Sequence, residues 1–387
     1  MSSALVEVVV LIVGAGPAGL ATSACLNMHS IPNLLLEREE CSASLWRNRA
    51  YDRLKLHLGK QFCALPHMPF PSNLPEFVPR KDFINYLDEY SSRFNINPRY
   101  NRSVESASYD ERMKKWRVLV KNSASHVNEV YLARFLVAAT GENSEGLIPN
   151  VHGLDSFEGK YMHSNQYANG MELRGKDVLV VGCGNSGMEI AYDLYNWGAN
   201  TSIVVRSPVH IVTKEIVFGA MLLQSSLPLT MIDSITVKLS KLAFGDISKY
   251  GFQMPKEGPF YLKTLTGRSP TIDVGAMDKI KTGDIKVQSS IITSIKGNQI
   301  TFGDGKVDEY DVIIFATGYK STVRRWLKDG GDDLFNENGM PKQNCQQWKG
   351  QNGLYCAGFA RKGLLGIAAD ANNIATDIAS ALDKNTD

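Results

Sequence analysis

The sequence predicts an α/β protein of two dinucleotide-binding, Rossmann-like domains, the second inserted into a discontinuous first. Three observations predict it. A glycine fingerprint, Gly14-Ala15-Gly16-Pro17-Ala18-Gly19, follows an apolar run from Val8 to Val13. A second, Gly182-Cys183-Gly184-Asn185-Ser186-Gly187, follows Val178 to Val181. Two later apolar stretches close on small-residue turns, Ala138-Ala139-Thr140-Gly141 and Ala316-Thr317-Gly318-Tyr319. Such turns are expected where a chain crosses a ligand at the carboxyl edge of a sheet.

Each glycine has a separate task. Gly14 and Gly182 allow the tight turn after the strand. Gly16 and Gly184 remove the side chain that would block a pyrophosphate, and Gly19 and Gly187 let the helix pack on the strand. The helices that follow, about Ala18 to Met28 and on to about Trp197, offer free N–H groups and a positive dipole end to phosphates, with Asn185 in the second turn. A lone fingerprint would be weak, but strand, turn, helix, strand and a charged residue at the right offset are specific. The strand after the first copy ends Leu34-Leu35-Leu36-Glu37, and the strand after the second ends Ile203-Val204-Val205-Arg206. A carboxylate pairs with two free ribose hydroxyls, whereas a guanidinium suits a 2′-phosphate. The first site therefore reads as FAD and the second as NADPH. The plainer alternative, two βαβ units without nucleotides, needs both the acid and the base to fall in place by chance.

Between the fingerprints, Trp116 to Val120 and Glu129 to Ala138 read as strands. Asp311 to Phe315 reads as another, and a last one, about Leu354 to Ala357, meets Gly358 before a helix from about Gly366 to Leu382. The turns at Gly318 and Gly358 are expected beside the cofactors. Pro149 and Gly153 mark a passage between domains. The expected division is a flavin domain from 1–165 and 310–387, with the nicotinamide domain at 166–309.

With 387 residues the chain is long enough for two cores. Its 43% hydrophobic and 21% charged residues are those of an ordinary globular protein. A net charge of +2, with no basic block, argues against a nucleic-acid partner. The Val-rich start lacks a basic n-region and carries Glu7, so it reads as the first strand and not as a signal peptide. The six cysteines, at 25, 41, 63, 183, 345 and 356, form no CxxC or CxxxxC pair. That suggests a reducing compartment and removes the dithiol expected of flavin disulfide reductases. No Cys/His cluster has metal-ligand spacing. The most apolar stretch, Ile216 to Ile235, contains Gln224, Pro228 and Asp233 and is too interrupted to span a bilayer. It is expected to be buried or to cover substrate, with loose membrane contact as the lesser alternative.

One further run, Phe157-Glu158-Gly159-Lys160-Tyr161-Met162-His163-Ser164-Asn165-Gln166-Tyr167, fits FxGxxxHxxxY. It resembles the identifying motif of class B flavin-containing monooxygenases; the related Baeyer–Villiger enzymes usually end that motif in Trp. Finer features are similar to the plant YUCCA branch over nearly the whole chain. They include Ser44-Leu45-Trp46-Arg47, Tyr51-Asp52-Arg53-Leu54-Lys55-Leu56-His57-Leu58, Lys60-Gln61-Phe62-Cys63, Ala139-Thr140-Gly141-Glu142-Asn143, Asp273-Val274-Gly275 and Leu354-Tyr355-Cys356-Ala357-Gly358-Phe359.

The resemblance implies an FAD- and NADPH-dependent monooxygenase that converts indole-3-pyruvate to indole-3-acetate, the auxin, by oxidative decarboxylation through a C4a-(hydro)peroxyflavin. Its co-substrate would be oxygen. It places Trp46 and Asn143 with the FAD, and His163 and Tyr167 at the junction near the nicotinamide. A lone histidine is more often structural than catalytic, so only that location is carried over. Animal-type relatives carry asparagine after Tyr-x-x-Leu-x-x, where this chain has His57. That asparagine's role is not transferred, and simple packing near the flavin ring stands beside any chemical role for His57.

A 2-oxo acid needs a cation for its carboxylate. Lys60 and the Arg361-Lys362 pair are the candidates, against solvated loop charges or nicotinamide phosphate contacts. Phe218, Met221 and Leu222 are candidates for an apolar wall, against plain core packing. Two other classes stay open: a flavin reductase or electron carrier, and a silent nucleotide-binding regulator. Within the monooxygenases, N- or S-oxygenation of small metabolites is the runner-up. The expected location is the cytoplasm, with loose contact at the cytosolic face of the endoplasmic reticulum as an addition. Oligomeric state is not legible.

Overall fold

Strands buried on both faces should read as unbroken apolar runs, and those at the centre of each sheet do. The computed structural model describes residues 5–224, 226–342 and 347–384, and Cys345 lies outside them. These residues divide into two compact units.

In the first unit the strand Leu5–Val13 lies parallel to both Asn33–Leu36 and Asn128–Ala138. The strand Leu354–Cys356 adds in parallel to Asn128–Ala138, while Lys115–Asn122 and Arg102–Asp110 continue the sheet antiparallel. The end of the first strand, Val10 to Val13, is at most 5% exposed. The fingerprint helix Pro17–Met28 packs against this sheet and against the last helix, Gly363–Asp383. Leu11, Trp116, Tyr131, Leu136 and Phe335 form the core on one side.

The second unit holds a five-stranded sheet that is parallel throughout. Its order is Ile285–Gln288, Asn200–Val204, Asp177–Val181, Val312–Phe315 and Lys160–His163. Its fingerprint helix, Asn185–Asn196, buries Met188, Ile190, Ala191 and Leu194. An antiparallel three-stranded sheet, Ile292–Lys296, Gln299–Phe302 and Val307–Glu309, forms a second layer, packed through Ile295, Ile300 and Phe302 against Leu179, Ile313 and Phe315.

The borders differ from those expected. The second unit comprises Arg49–Leu58 and Gly146–Gly318, so residues 146–165 and 310–318, expected in the flavin domain, belong with the unit that holds the second fingerprint. The reason is pairing. Lys160–His163 and Val312–Phe315 hydrogen-bond beside Asp177–Val181, and not in the first sheet. The short segment 49–58 joins them because Tyr51 is buried in this unit's core and the Asp52 N–H donates to the Ala168 carbonyl at 2.9 Å.

The apolar stretch 216–235 falls in two helices, Lys214–Leu223 and Leu229–Phe244. It is only partly buried, contrary to a core segment. Among the described residues no helix is long and apolar enough to cross a membrane.

Candidate functional site

The two fingerprints adopt one geometry. Gly14 has φ +107° and Gly182 φ +114°, a region L side chains rarely enter. A Cβ on Gly14 would lie 2.7 Å from the Ala139 carbonyl oxygen, and one on Gly182 would lie 2.6 Å from that of Ala316. A Cβ on Gly19 would come within 1.9 Å of the Gly14 oxygen, and on Gly187 within 1.9 Å of the Gly182 oxygen. These four glycines are demanded by the protein itself.

Gly16 and Gly184 are not. Their φ values, −75° and −74°, are open to any residue, and a Cβ on either meets nothing within 4 Å. Each middle glycine keeps clear a space at the N-terminus of a 12-residue helix, where a phosphate is stabilised by free N–H groups and the helix dipole. Beside the first of these turns, the buried Thr140 hydroxyl has no protein partner. An open cradle and an orphaned hydroxyl fit a dinucleotide; this chain does not otherwise explain them.

The charges after the second strands are held differently. Glu37 is buried, one carboxylate oxygen accepting the Ala15 N–H at 2.7 Å and the other the Glu39 N–H at 3.0 Å. Burial pushes its pKa up, and those two hydrogen bonds oppose the shift. It ties the glycine turn to the strand end while keeping acceptor capacity for ribose hydroxyls. Arg206 is exposed, its Nε 3.4 Å from the Ser207 hydroxyl. An exposed guanidinium suits a phosphate that comes and goes.

Other expected cofactor contacts are placed as follows. Trp46 is half-buried, its ring edge-on to Phe83 at 4.6 Å, and Arg80 fixes the local backbone by donating to the Trp46 carbonyl at 2.7 Å. Asn143 is exposed in the turn after Thr140. Gly318 has φ +86° with open space around it. Gly358, at φ +83°, lies against the fingerprint helix, where a Cβ would be 2.9 Å from that of Ala18. Its N–H donates to buried Asp370 at 3.1 Å, and burial raises that carboxyl to about 6.

The motif residues His163 and Tyr167 form a structural tie. His163 is buried, with Nε2 2.9 Å from the Gly318 carbonyl and Nδ1 accepting the Asn165 N–H at 3.2 Å. The acceptor at Nδ1 fixes the proton on Nε2, which donates to Gly318. Gly146 is close by, and a Cβ there would lie 2.3 Å from the ring. Tyr167 donates its buried hydroxyl to Asp193 at 2.6 Å. His163 holds the loops at the sheet's carboxyl edge, and Tyr167 ties its loop to the C-terminal half of the second fingerprint helix.

His57 has a partner that sequence reasoning missed. Its Nε2 lies 3.0 Å from Glu189, which is 2% exposed on the second fingerprint helix, and its Nδ1 lies 3.4 Å from the Asn185 amide nitrogen. Burial pushes the Glu189 carboxyl up, but the hydrogen bond and charge of His57, with Tyr51 and Lys214, bring it below the usual range. Asn185 in turn accepts the Ile272 N–H at 2.7 Å. The signal was readable: a lone carboxylate inside Met188-Glu189-Ile190-Ala191, on the buried stripe of a helix. Beyond it opens a cavity of about 320 Å³, lined by Arg53, Lys55, Lys214, Glu215 and Asp273.

Lys60 does not fit the expected carboxylate contact. Its ammonium donates to the carbonyls of Pro71, Ser72 and Leu74 at 3.2, 3.0 and 2.6 Å. All three protons are used in bracing that loop. Arg361 is exposed, in a left-handed conformation at φ +56°, just before the last helix. Phe218 and Met221 are half-buried, whereas Leu222 is mostly exposed. Among the described residues no group of His, Cys, Asp and Glu could hold a metal ion.

The chain matches the family model described as flavin-binding monooxygenase-like over residues 7–328. It is 53% identical to the probable indole-3-pyruvate monooxygenase YUCCA10 of Arabidopsis thaliana, over 97% of this chain and 98% of that one. It is similar in structure to a flavin-containing monooxygenase from Stenotrophomonas maltophilia, with TM-score 0.74, 18% identity, and 97% and 99% of the two chains covered. It is also similar to OTEMO in a complex with FAD and NADP, at TM-score 0.74 and 17% identity, covering 98% and 85%.

Proposed function

The chain belongs to the flavin-binding monooxygenase-like family and its YUCCA branch, and on that premise we propose that it converts indole-3-pyruvate to indole-3-acetate using FAD, NADPH and oxygen. The overall change balances as 2-oxo acid, oxygen, NADPH and a proton giving the one-carbon-shorter acid, carbon dioxide, NADP⁺ and water. Bound flavin supplies the redox chemistry and the activation of oxygen.

The chain's own contribution is to bind, orient and exclude. The observation that carries the reading is the pair of open middle glycines, Gly16 and Gly184, each followed by a residue of opposite charge, Glu37 and Arg206. Glu37 selects a ribose with free hydroxyls. Arg206 selects the 2′-phosphate and so favours NADPH. No side-chain nucleophile is required, in keeping with the absence of a Ser/His/Asp or Cys/His arrangement in the sequence. Arg361, exposed just before the last helix, is our candidate for the substrate carboxylate. The same composition and fold suit an enzyme of the cytoplasm.

The test is a product assay on the FAD-loaded protein. With NADPH and air, indole-3-pyruvate should give indole-3-acetate at about one product per NADPH when coupling is good, and labelled oxygen gas should place one atom in the new carboxylate. If indole-3-pyruvate is untouched while an amine or thioether is oxygenated, the substrate assignment fails.

A further inference from the structure

The helix Leu229–Phe244 is apolar on both faces. Its buried face packs Ile232 and Phe244 into the core and carries Asp233, Thr236 and Ser240, the three polar residues all at most 7% exposed. Asp233 accepts the Phe260 and Tyr261 N–H groups at 2.8 and 3.1 Å, capping the next helix, Pro259–Thr266, and the Ser240 hydroxyl donates to the Thr236 carbonyl at 2.8 Å. The outward face carries Met231, Ile235, Leu239 and Leu242, at 50, 37, 43 and 82% exposed. Their spacing of four, four and three sets them on one stripe of the helix. Of the large hydrophobic residues exposed among the described ones, eight of 19 fall between Leu222 and Leu265. Scattered exposure is ordinary, but this concentration marks a contact surface.

The charges indicate what covers it. Lys238 and Lys241 flank the stripe on the same outward arc, and the helix's single acid, Asp233, points inward. From Lys214 to Arg268 there are seven Lys or Arg against four Asp or Glu, a surplus of three, while the whole chain is only +2. A second copy docked face to face would bring lysines against lysines. An anionic bilayer surface would instead accept the apolar stripe among its acyl chains and pair the lysines with its headgroups.

We propose that this outward face docks on the surface of an anionic lipid bilayer, lying in the interface and not crossing it. The proposal is independent of the substrate. It is tested by cosedimentation of the FAD-loaded full chain with vesicles of phosphatidylcholine alone and with about a third phosphatidylserine. The wild type should sediment with the anionic vesicles, and added salt should weaken this several-fold. Leu239→Glu with Leu242→Glu, and separately Lys238→Glu with Lys241→Glu, should each lower binding about tenfold or more. Flavin content and NADPH oxidation without vesicles should stay unchanged, showing that both variants fold. Equal sedimentation of wild type and both variants, or no sedimentation with anionic vesicles, overturns the proposal. So does a wild-type dimer in ultracentrifugation that the leucine variant converts to monomer, because the face would then belong to a second copy.

Discussion

The two fingerprints share their backbone angles and are opposite in how they treat charge. Gly14 and Gly182 share a positive φ, Gly16 and Gly184 an open flank, and Gly19 and Gly187 a packing limit. At the strand end, however, one unit buries Glu37 against its own backbone, while the other leaves Arg206 exposed. On the proposed reading the scaffold would meet a pyrophosphate in both places, and one residue in each would decide which nucleotide. Burial of the first suits a cofactor held through turnover, and exposure of the second suits one that is exchanged.

Breaking the shared element should give the largest effect. Gly16→Val should fold, since nothing lies within 4 Å of the added Cβ, yet purify without the yellow of bound flavin. Gly184→Val should stay yellow but lose reduction by NADPH about a hundredfold or more, equivalent to about 3 kcal/mol. Absorbance of the purified proteins and anaerobic stopped-flow reduction separate the two. If either variant behaves as wild type, that middle glycine does not face a pyrophosphate.

A smaller effect should follow from the element that differs. A charge-assisted contact contributes about 1.5–3 kcal/mol, so Arg206→Ala should lose about ten- to a hundredfold in preference for NADPH over NADH. The measurement is flavin reduction at varied NADPH and NADH. An unchanged preference would assign the phosphate to another side chain.

The smallest effect contrasts the buried acids of the two units. Glu189 has His57 at hydrogen-bond distance and is held below the usual range against the pull of burial, so its contribution is kept at neutral pH and lost only in acid. Among the described residues Asp370 has only the Gly358 N–H at hydrogen-bond distance, and burial raises it to about 6 against that bond and the charge of Lys362. Between an unfolded value of about 4 and the folded value, the native state binds the extra proton, so stability falls as pH rises through that window. Asp370→Asn keeps an acceptor for Gly358 and should stabilise the protein by about 1–3 kcal/mol at pH 7.5. The gain should fade toward pH 4. Melting temperatures of wild type and variant across that range give the check, and a pH-independent difference would remove the charge explanation.

Much of the fold was legible because it is written in local patterns. The apolar runs into Gly14 and Gly182, the strands at 129–138 and 354–356, and the final helix lie within a few residues of expectation. What was not legible depends on partners distant in sequence. Lys160–His163 is four residues long with two exposed, and nothing local says that it pairs with Val312–Phe315. The same holds for Lys60, whose carbonyl partners lie 11 to 14 residues away in a loop. Glu189 is an intermediate case. Its place on an apolar stripe was visible, but its partner, 132 residues earlier, was not.

The ten residues from Arg49 to Leu58 lie in sequence inside the first unit and fold with the second. Exchange of modules between relatives must respect this. A segment moved by cutting at 146 and 318 would leave behind Tyr51 and His57, and Glu189 would arrive buried without the His57 hydrogen bond. A buried acceptor that loses its hydrogen-bond partner costs on the order of 1–3 kcal/mol. Recombination within this family is therefore expected to succeed only when residues 49–58 and 146–318 descend together, so that two stretches far apart in the gene are inherited as one unit.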